Sequence, residues 1–317
     1  MTATVQPAAP AVPRKKKALT KRWWEQRFLL LMSVPIIIWL IIFAYVPLAG
    51  WAIAFFNFRP GIQLRDSDFV GLHNFRLMFM DPAFFNSIRT TLIFSVLGIV
   101  TGFTTAIGFA LLLNELRSIK TKKVIQTVSY LPHFVSWVIV SGMVIQVLSL
   151  DGALNSILTF LRIIPEARNW MAYPQYTYAV VTISNIWKGL GWSTIIYLSA
   201  MAGIDQELYE AVAVDGGGRL RRIWHITLPG IAPLVLVLMI MSIGGLLHTG
   251  FEDKLLLRNP FNHEIMDVLP LYTLRMGIQT GRFSFGTAIS IFVSMISITL
   301  VFIANAISRK FTNSGLF

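Results

Sequence analysis

One segment of the sequence groups acidic and small residues at helical spacing. Its members are Glu207, Glu210, Ala211, Asp215, Gly216 and Gly217. Small side chains between the acids predict a short helix over 206–214, and the glycines predict where that helix ends. Such a helix presents a narrow ridge that fits a cleft on another protein, and glycine allows close backbone approach. The segment therefore predicts a protein-docking element.

Polar and aromatic residues also interrupt an otherwise apolar stretch: Asn185, Trp187, Lys188 and Trp192. Asn185, Lys188 and Trp192 share one helix face. A charge near the middle of a membrane costs roughly 2.5–3.5 kcal/mol, so Lys188 should face protein or water. One interpretation is a wall that binds hydroxyl or carboxylate groups. The other is structural: Lys188 pairs with a neighbouring helix or extends to the surface, and both tryptophans only pack. His248, in a later stretch, either lines the same pathway or is a packed or hydrated histidine.

Patterns that would indicate an enzyme are weak or missing. Asp66 and Asp68 match the D-x-D pattern of glycosyltransferases, but they lie in a short predicted loop with no nucleotide-binding domain around it. The five histidines lack metal-ligand spacing, and the sequence has no cysteine. No G-x-x-x-x-G-K-[ST] phosphate loop is present. The sequence predicts no catalytic residue, no metal site and no cofactor bound by this chain.

The composition excludes a water-soluble enzyme. Of the 317 residues, 55% are hydrophobic and 13% are charged, whereas soluble domains carry about 25% charged residues. The mean hydropathy is +0.65. The chain therefore has the composition of an integral membrane protein.

Six apolar stretches reach about 20 residues, the length that a helix needs to cross roughly 30 Å of hydrocarbon. They are 28–50, Thr90–Asn114, Val124–Leu150, Tyr176–Ala202, Ile231–Thr249 and Ser284–Ser308. Pro35 and Pro132 do not exclude these helices, because proline is tolerated in membrane helices. The predicted fold class is an all-α integral membrane protein with six transmembrane helices within 28–310.

Basic residues are distributed unevenly between the predicted loops. Of 27 lysines and arginines, 16 lie in the two tails and in the loops after the second and fourth stretches, and 10 lie in the other loops. The positive-inside rule makes the basic side cytoplasmic, with both tails, 1–27 and 311–317, inside. The first stretch exceeds 20 residues and continues through Trp51, Phe55 and Phe56, which favours an uncleaved anchor over a signal peptide. The net charge of +12 is thus a topology signal, not a nucleic-acid surface, and the arginines at 219–222 are expected at anionic membrane lipids.

The docking segment resembles the EAA loop of permease subunits in binding-protein-dependent ABC importers, which reads E-A-A-x-x-D-G-A, five residues, then F-x-x-I-x-L-P. Seven positions are in register: Glu210, Ala211, Asp215, Gly216, Ile226, Leu228 and Pro229. Val212, Gly217 and Ile223 depart from the pattern. Softer similarity to MalF-like and LplB-like carbohydrate-importer permeases covers most of the chain, including the motif at 187–192 and the Gly-Phe-Glu at 250–252.

This resemblance implies a MalF/MetI-like permease fold in the cytoplasmic (inner) membrane. It implies a heterodimer with a second permease subunit, two ATPase subunits that hold ATP and magnesium, and an extracytoplasmic solute-binding protein. The coupling loop, 204–229, would dock on the ATPases. The implied cargo is an oligosaccharide or polysaccharide, either neutral or uronate-containing as in alginate, with the polar residues of the fourth stretch and His248 along its path.

Two other classes stay open at this point. A secondary carrier would use six spans without an ATPase, and the EAA-like loop argues against it. A membrane-embedded sugar or acyl transferase would need clustered acids or histidines at the membrane surface, and the sequence has none.

Overall fold

A computed structural model describes residues 26–248 and 250–312. The predicted cytoplasmic tails, 1–27 and 311–317, fall almost entirely outside these residues. Among the described residues the regular structure is helical, and the one β-type contact is an isolated antiparallel bridge between Phe56 and Phe69. The chain divides into two units, 1–52 and 53–317, and the packing described below lies within the second.

The α-helices follow one another along the whole described chain. They are α1 (Arg27–Leu40), α2 (His73–Met80), α3 (Pro82–Asn114), α4 (Ile119–Tyr130), α5 (Trp137–Val147), α6 (Ala153–Phe160), α7 (Thr177–Ala202), α8 (Gln206–Val214), α9 (Arg219–Arg222), α10 (Leu228–Gly244), α11 (Glu252–Leu257), α12 (His263–Met266), α13 (Leu269–Thr273) and α14 (Phe283–Thr312). Wider π-helical turns occupy Ile41–Tyr45, Ile223–Thr227 and Leu274–Gln279. Tighter 3₁₀ segments occupy Val46–Phe55, Leu64–Asp66, Leu131–Phe134, Trp170–Ala172, Pro174–Tyr176 and Leu246–His248.

Several helical segments of the described chain are long and apolar enough to cross a membrane: Leu30–Phe55, Pro82–Asn114, Arg219–Gly244 and Phe283–Lys310, with a bent pair, Ile119–Phe134 and Trp137–Val147, as a possible fifth. The predicted apolar helices at these places are confirmed. Helix α7 is continuous over 26 residues, but Asn185 and Lys188 make it more polar. The number of crossings and their direction stay predictions.

The third predicted stretch, Val124–Leu150, is not one helix. It breaks after Tyr130 into the turn Leu131–Phe134, and α5 leaves the break at 99° to α4. Pro132 has no N–H to donate and cannot continue the α-helical ladder. The bend therefore follows from a proline that the sequence analysis treated as tolerated.

The fifth predicted stretch begins earlier than expected. Helical structure runs without interruption from Arg219 to Gly244, so residues 219–229 of the predicted loop 204–229 belong to this helix. A proline ring clashes with the carbonyl four residues before it. The π-helical turn Ile223–Thr227 includes the residue four positions before Pro229. The wider turn relieves the clash with the proline ring.

Helices α3, α7 and α10 pack together around a buried cluster: Ala106, Ala110, Tyr197, Met201 and Ile231. Small residues allow the close approach of these helices. Gly191 of α7 shows the tightest case, because a Cβ added there would lie 2.2 Å from the carbonyl oxygen of Ser129 at the end of α4. Helix α7 therefore packs closely against α4 as well as against α3 and α10.

Candidate functional site

Helix α8 matches the predicted bounds, 206–214, and it has two different faces. Glu207, Glu210, Ala211 and Val214 are exposed, and their spacing of three and four residues places them on one stripe. Tyr209 and Val212, on the other side, are partly buried. The exposed stripe thus contains the acidic and small residues that the sequence singled out for docking.

Capping contacts hold α8 in place at its start. The Oδ1 atom of Asp205 accepts a hydrogen bond from the backbone N–H of Glu207 at 3.0 Å, as an N-cap residue does. The hydroxyl of Tyr209 lies 3.0 Å from that of Thr227, in the turn that precedes α10. Side-chain contacts therefore join α8 to the base of α10.

Two glycines shape the end of α8 in different ways. Gly216 has φ of +73° with open space around its Cα, whereas a Cβ on Gly217 would lie 2.3 Å from the Cγ1 of Val212. Gly216 is needed for its backbone conformation, and Gly217 for its close approach to the helix. Asp215, between helix and glycines, is exposed.

A cavity of about 520 Å³ lies between α3, α7 and α10. Its walls are largely apolar, with three serine hydroxyls, and are formed by Ser95, Gly98, Ile99, Gly102, Phe103, Ser193, Ile196, Tyr197, Leu238, Met241, Ser242, Gly245 and Leu246. Concave sites of this size between helices are common ligand sites. None of its α3 residues was predicted, although Gly98 and Gly102, four residues apart in an uncharged span, are a signal for close packing.

A second cavity of about 200 Å³ adjoins the first, and its walls are more polar. It is lined by Phe94, Gly98, Thr101, Gly102, Thr105, Ala106, Val181, Thr182, Asn185, Ile186, Gly189, Leu190, Ser193, Gly250 and Lys254. Gly98, Gly102 and Ser193 belong to both linings. The two cavities are therefore neighbours along the same helices.

The predicted polar face of α7 divides between two partners. Lys188 and Trp192 contact the helix break: Nζ of Lys188 donates to the carbonyls of His133 and Val135, and the Trp192 ring stacks on that of His133 at 4.5 Å. Asn185 faces the other way and lines the smaller cavity. Contact of Lys188 with a substrate stays a prediction, and the structure adds a main-chain partner for its charge.

Asn185 contacts a pair of charges that the sequence analysis placed in an outer loop. Its Nδ2 donates to Oδ2 of Asp253 at 2.8 Å, and Nζ of Lys254 lies 2.8 Å from the same oxygen. Asp253 and Lys254 are 2% and 3% exposed, a burial that the sequence analysis did not predict. Helix α11 folds back against α5 and α7, and mutual neutralisation makes this burial tolerable.

The two remaining predicted pathway residues lie away from both cavity linings. The Trp187 side chain is 46% exposed on the outside of α7. His248 is exposed at the end of α10, with Nδ1 3.4 Å from the Ser297 hydroxyl. Their contact with a substrate is not tested by this geometry and stays a prediction.

Comparison with known proteins shows which family this helical chain belongs to. Residues 98–313 match the family described as "Binding-protein-dependent transport system inner membrane component". The chain is 38% identical to the polygalacturonan/rhamnogalacturonan transport system permease protein YteP of Bacillus subtilis over 99% of both chains, and 39% identical to the protein LplB of the same organism over 92% of both. A solved chain from a bacterial ABC transporter involved in import of the acidic polysaccharide alginate superposes with a TM-score of 0.84 at 36% identity, covering 93% of this chain and 99% of that one. This chain belongs to the family of inner membrane components of binding-protein-dependent transport systems.

Proposed function

We propose that the chain is the membrane-spanning permease subunit of an ABC importer that translocates oligosaccharides, uronate-containing ones included. The relatives named for polygalacturonan/rhamnogalacturonan transport and for import of alginate support this class of cargo. The observation that carries the proposal is the placement of α8. It lies between α7 and α10 in the chain, and both of those helices line the 520 Å³ cavity. Tyr209 of α8 also contacts Thr227 at the base of α10, so we expect a displacement of α8 by an ATPase to reach two walls of the cavity, as alternating access requires.

The exposed surfaces of the chain indicate where its proposed partners would bind. The exposed stripe of α8 presents Glu210 as a hydrogen-bond acceptor for donors on an ATPase subunit, and ATP and magnesium would be held there and not on this chain. A related structure contains an alginate pentasaccharide-bound periplasmic protein, which supports a solute-binding protein on the opposite side. A second permease subunit would complete the translocation pathway.

The proposed topology has six crossings and both ends in the cytoplasm. The crossings are helix α1 with its continuation to Phe55, α3, the bent α4–α5 pair, α7, α10 and α14. Helix α8 then lies on the basic, cytoplasmic side, and α11 to α13 lie towards the outside. This orientation is supported by the excess of basic residues in the loops that contain α8 and Lys120.

The experiment is ATP hydrolysis and labelled oligogalacturonate uptake by the complete complex in lipid vesicles. Glu210→Ala should lower binding-protein-stimulated hydrolysis and uptake by about tenfold, since a hydrogen bond to a charged group contributes about 1.5–3 kcal/mol. Glu166→Ala, which removes another exposed carboxylate, is the matched control. Normal stimulated hydrolysis and co-purification of the ATPase with Glu210→Ala would refute the docking role, and uptake without any ATPase would indicate a secondary carrier.

A further inference from the structure

Asp253 and Lys254 form an ion pair that is buried, and a purely structural role does not require a buried ion pair. Removing two charges from water costs several kcal/mol for each, and apolar residues of similar size often stabilise a protein more. Ionisable residues inside membrane proteins accordingly tend to mark binding or transport sites. This pair is also tied to α7, through the hydrogen bond from Asn185 to Asp253.

Lys254 of this pair lines the smaller cavity. Lys254 and Asn185 belong to the cavity lining and Asp253 does not. Nζ of Lys254 lies 4.6 Å from the centre of the Phe94 ring, a favourable position for a cation. An ammonium has three N–H donors, and in the described part of the chain its one hydrogen-bond acceptor is Asp253. A residue that lines the cavity therefore keeps N–H donors with no acceptor in the described part of the chain.

The cavity wall formed by α3 offers acceptors. The hydroxyl of Thr101 donates to the carbonyl of Leu97, and that of Thr105 donates to the carbonyl of Thr101, both at 2.6 Å. A hydroxyl that has donated its proton can still accept hydrogen bonds. A small ligand with hydroxyl donors on one edge and an acidic group on the other would match both walls.

Gly250 provides the space that the ammonium occupies. A Cβ on this residue would lie 2.1 Å from Nζ of Lys254 and 2.8 Å from Oδ1 of Asp253, and its φ is +50°. The lysine can therefore fold back over the start of its own helix only because residue 250 has no side chain. The cavity of about 200 Å³ is below the about 300–1,000 Å³ of sites for drug-sized ligands, which suits a single sugar ring at a time.

We infer that Lys254 selects acidic sugars: its ammonium binds the carboxylate of one uronate ring in the smaller cavity, and Asp253 acts as its positioning residue. This inference rests on the proposed function, and it names the group that would give the permease its substrate specificity. A carboxylate forms a charge-assisted hydrogen bond that a neutral ring or an ester cannot replace. Asp253 competes for the same ammonium, so the cavity is neutral when empty and the sugar can leave.

The test compares uptake of tetragalacturonate with uptake of its methyl ester by the complete complex in vesicles. Every variant is combined with the same solute-binding protein, so that a change in the ratio of the two rates arises in the permease. The double variant D253N/K254M removes both charges together and leaves no unpaired buried ion. It should lower the ratio of acidic to ester uptake by about tenfold, within the range that loss of one substrate contact produces.

A second variant should move the ratio of acidic uptake to ester uptake in the opposite direction. Asp253→Asn keeps the shape of the site and removes the competing carboxylate, so it should raise the preference for the acidic sugar by at least about threefold. Because it leaves Lys254 without its buried partner, assembly of Asp253→Asn is checked by co-purification of the complex before uptake is measured. The assembled Asp253→Asn complex decides if the double variant does not assemble. An unchanged ratio in the assembled double variant, or a lower ratio in Asp253→Asn, would overturn the inference. Absence of uptake of either sugar by the unmodified complex would instead overturn the proposed function, and the inference with it.

Discussion

Nζ of Lys188 lies 2.6 Å from the carbonyl oxygen of Val135 and donates a hydrogen bond to it. The ammonium also reaches the carbonyl oxygen of His133, at 2.8 Å. The break between α4 and α5 leaves these carbonyls without helical partners, and an unsatisfied carbonyl within a membrane costs several kcal/mol. The charge and the broken helix therefore stabilise each other.

Replacement of Lys188 should loosen the break between α4 and α5. Lys188→Met keeps the volume of the side-chain stem and removes every donor, so it should lower the free energy of unfolding by about 1–3 kcal/mol. Uptake of acidic and neutral sugars should fall together. Lys123→Met, at an exposed position on α4, is the control in thermal unfolding of the detergent-solubilised protein. A selective loss of acidic uptake at unchanged stability would show that Lys188 contacts the substrate instead.

The contact between Lys188 and the break of α4 and α5 illustrates which parts of the fold could be predicted from sequence. Apolar length is a local property, so α3 and α14 could be predicted, and the acidic and small residues with their glycines sufficed for α8. Pro132 can break its own stretch, but the carbonyls that the break leaves free are satisfied by Lys188, more than 50 positions later in the chain. A scan of single stretches cannot detect that contact, so it treats the proline as tolerated. Lys254 was missed for a related reason: its charge is neutralised by its neighbour, and a search for uncharged spans assigns such pairs to loops.

The close contact of α7 with α4 gives a matched pair of glycine variants. Gly191→Ala would place a Cβ 2.2 Å from the carbonyl oxygen of Ser129, whereas Gly189→Ala has no described heavy atom within 4 Å. Gly191→Ala should lower the free energy of unfolding by about 1–3 kcal/mol, as overpacking does. Gly189→Ala should be neutral or slightly stabilising, because alanine favours the helix. Equal unfolding temperatures for the two variants would contradict the close packing.

The end of α8 offers a second matched pair. Gly216 has φ of +73° and Gly218 has φ of −74°, and neither has a neighbour that would contact an added Cβ. Gly216→Ala should therefore reduce binding-protein-stimulated ATP hydrolysis through backbone strain of about 1–2 kcal/mol, while Gly218→Ala should not. Gly216→Asn should restore part of the activity, because asparagine tolerates this conformation. If Gly216→Ala and Gly218→Ala hydrolyse ATP at the same rate, backbone conformation is not what residue 216 supplies.

The proposed topology predicts the side on which inserted reporters are found. A reporter after Lys310 and one at Lys120 should be cytoplasmic, and one at Phe261, which is 61% exposed, should be outside. Phe261 is preferable to Asp253 or Lys254 as an insertion site, because those residues are buried. The readout is labelling by a membrane-impermeant reagent in intact cells. Labelling at Lys120 would place α8 outside the cytoplasm and exclude its docking on an ATPase.

Tyr272 and Asp81 join the start of α3 to α13, and this contact should make stability depend on pH. The hydroxyl of Tyr272 donates to Oδ2 of Asp81, whose Oδ1 accepts from the N–H of Ala83 at 2.9 Å. Burial, assisted by this hydrogen bond, raises the pKa of Tyr272 above its ordinary value. Tyr272→Phe should lower the free energy of unfolding by about 0.5–1.5 kcal/mol at neutral pH.

The sign of the pH effect follows from which state holds the proton. Above the ordinary tyrosine pKa of about 10, the unfolded chain loses the Tyr272 proton while the folded protein keeps it. Stability from this group is therefore complete below pH of about 10 and lost as the pH rises further. The difference in unfolding temperature between the unmodified protein and Tyr272→Phe should shrink between pH values of about 8 and about 10.5. A difference that stays constant as the pH rises would contradict the raised pKa of Tyr272 in the folded protein.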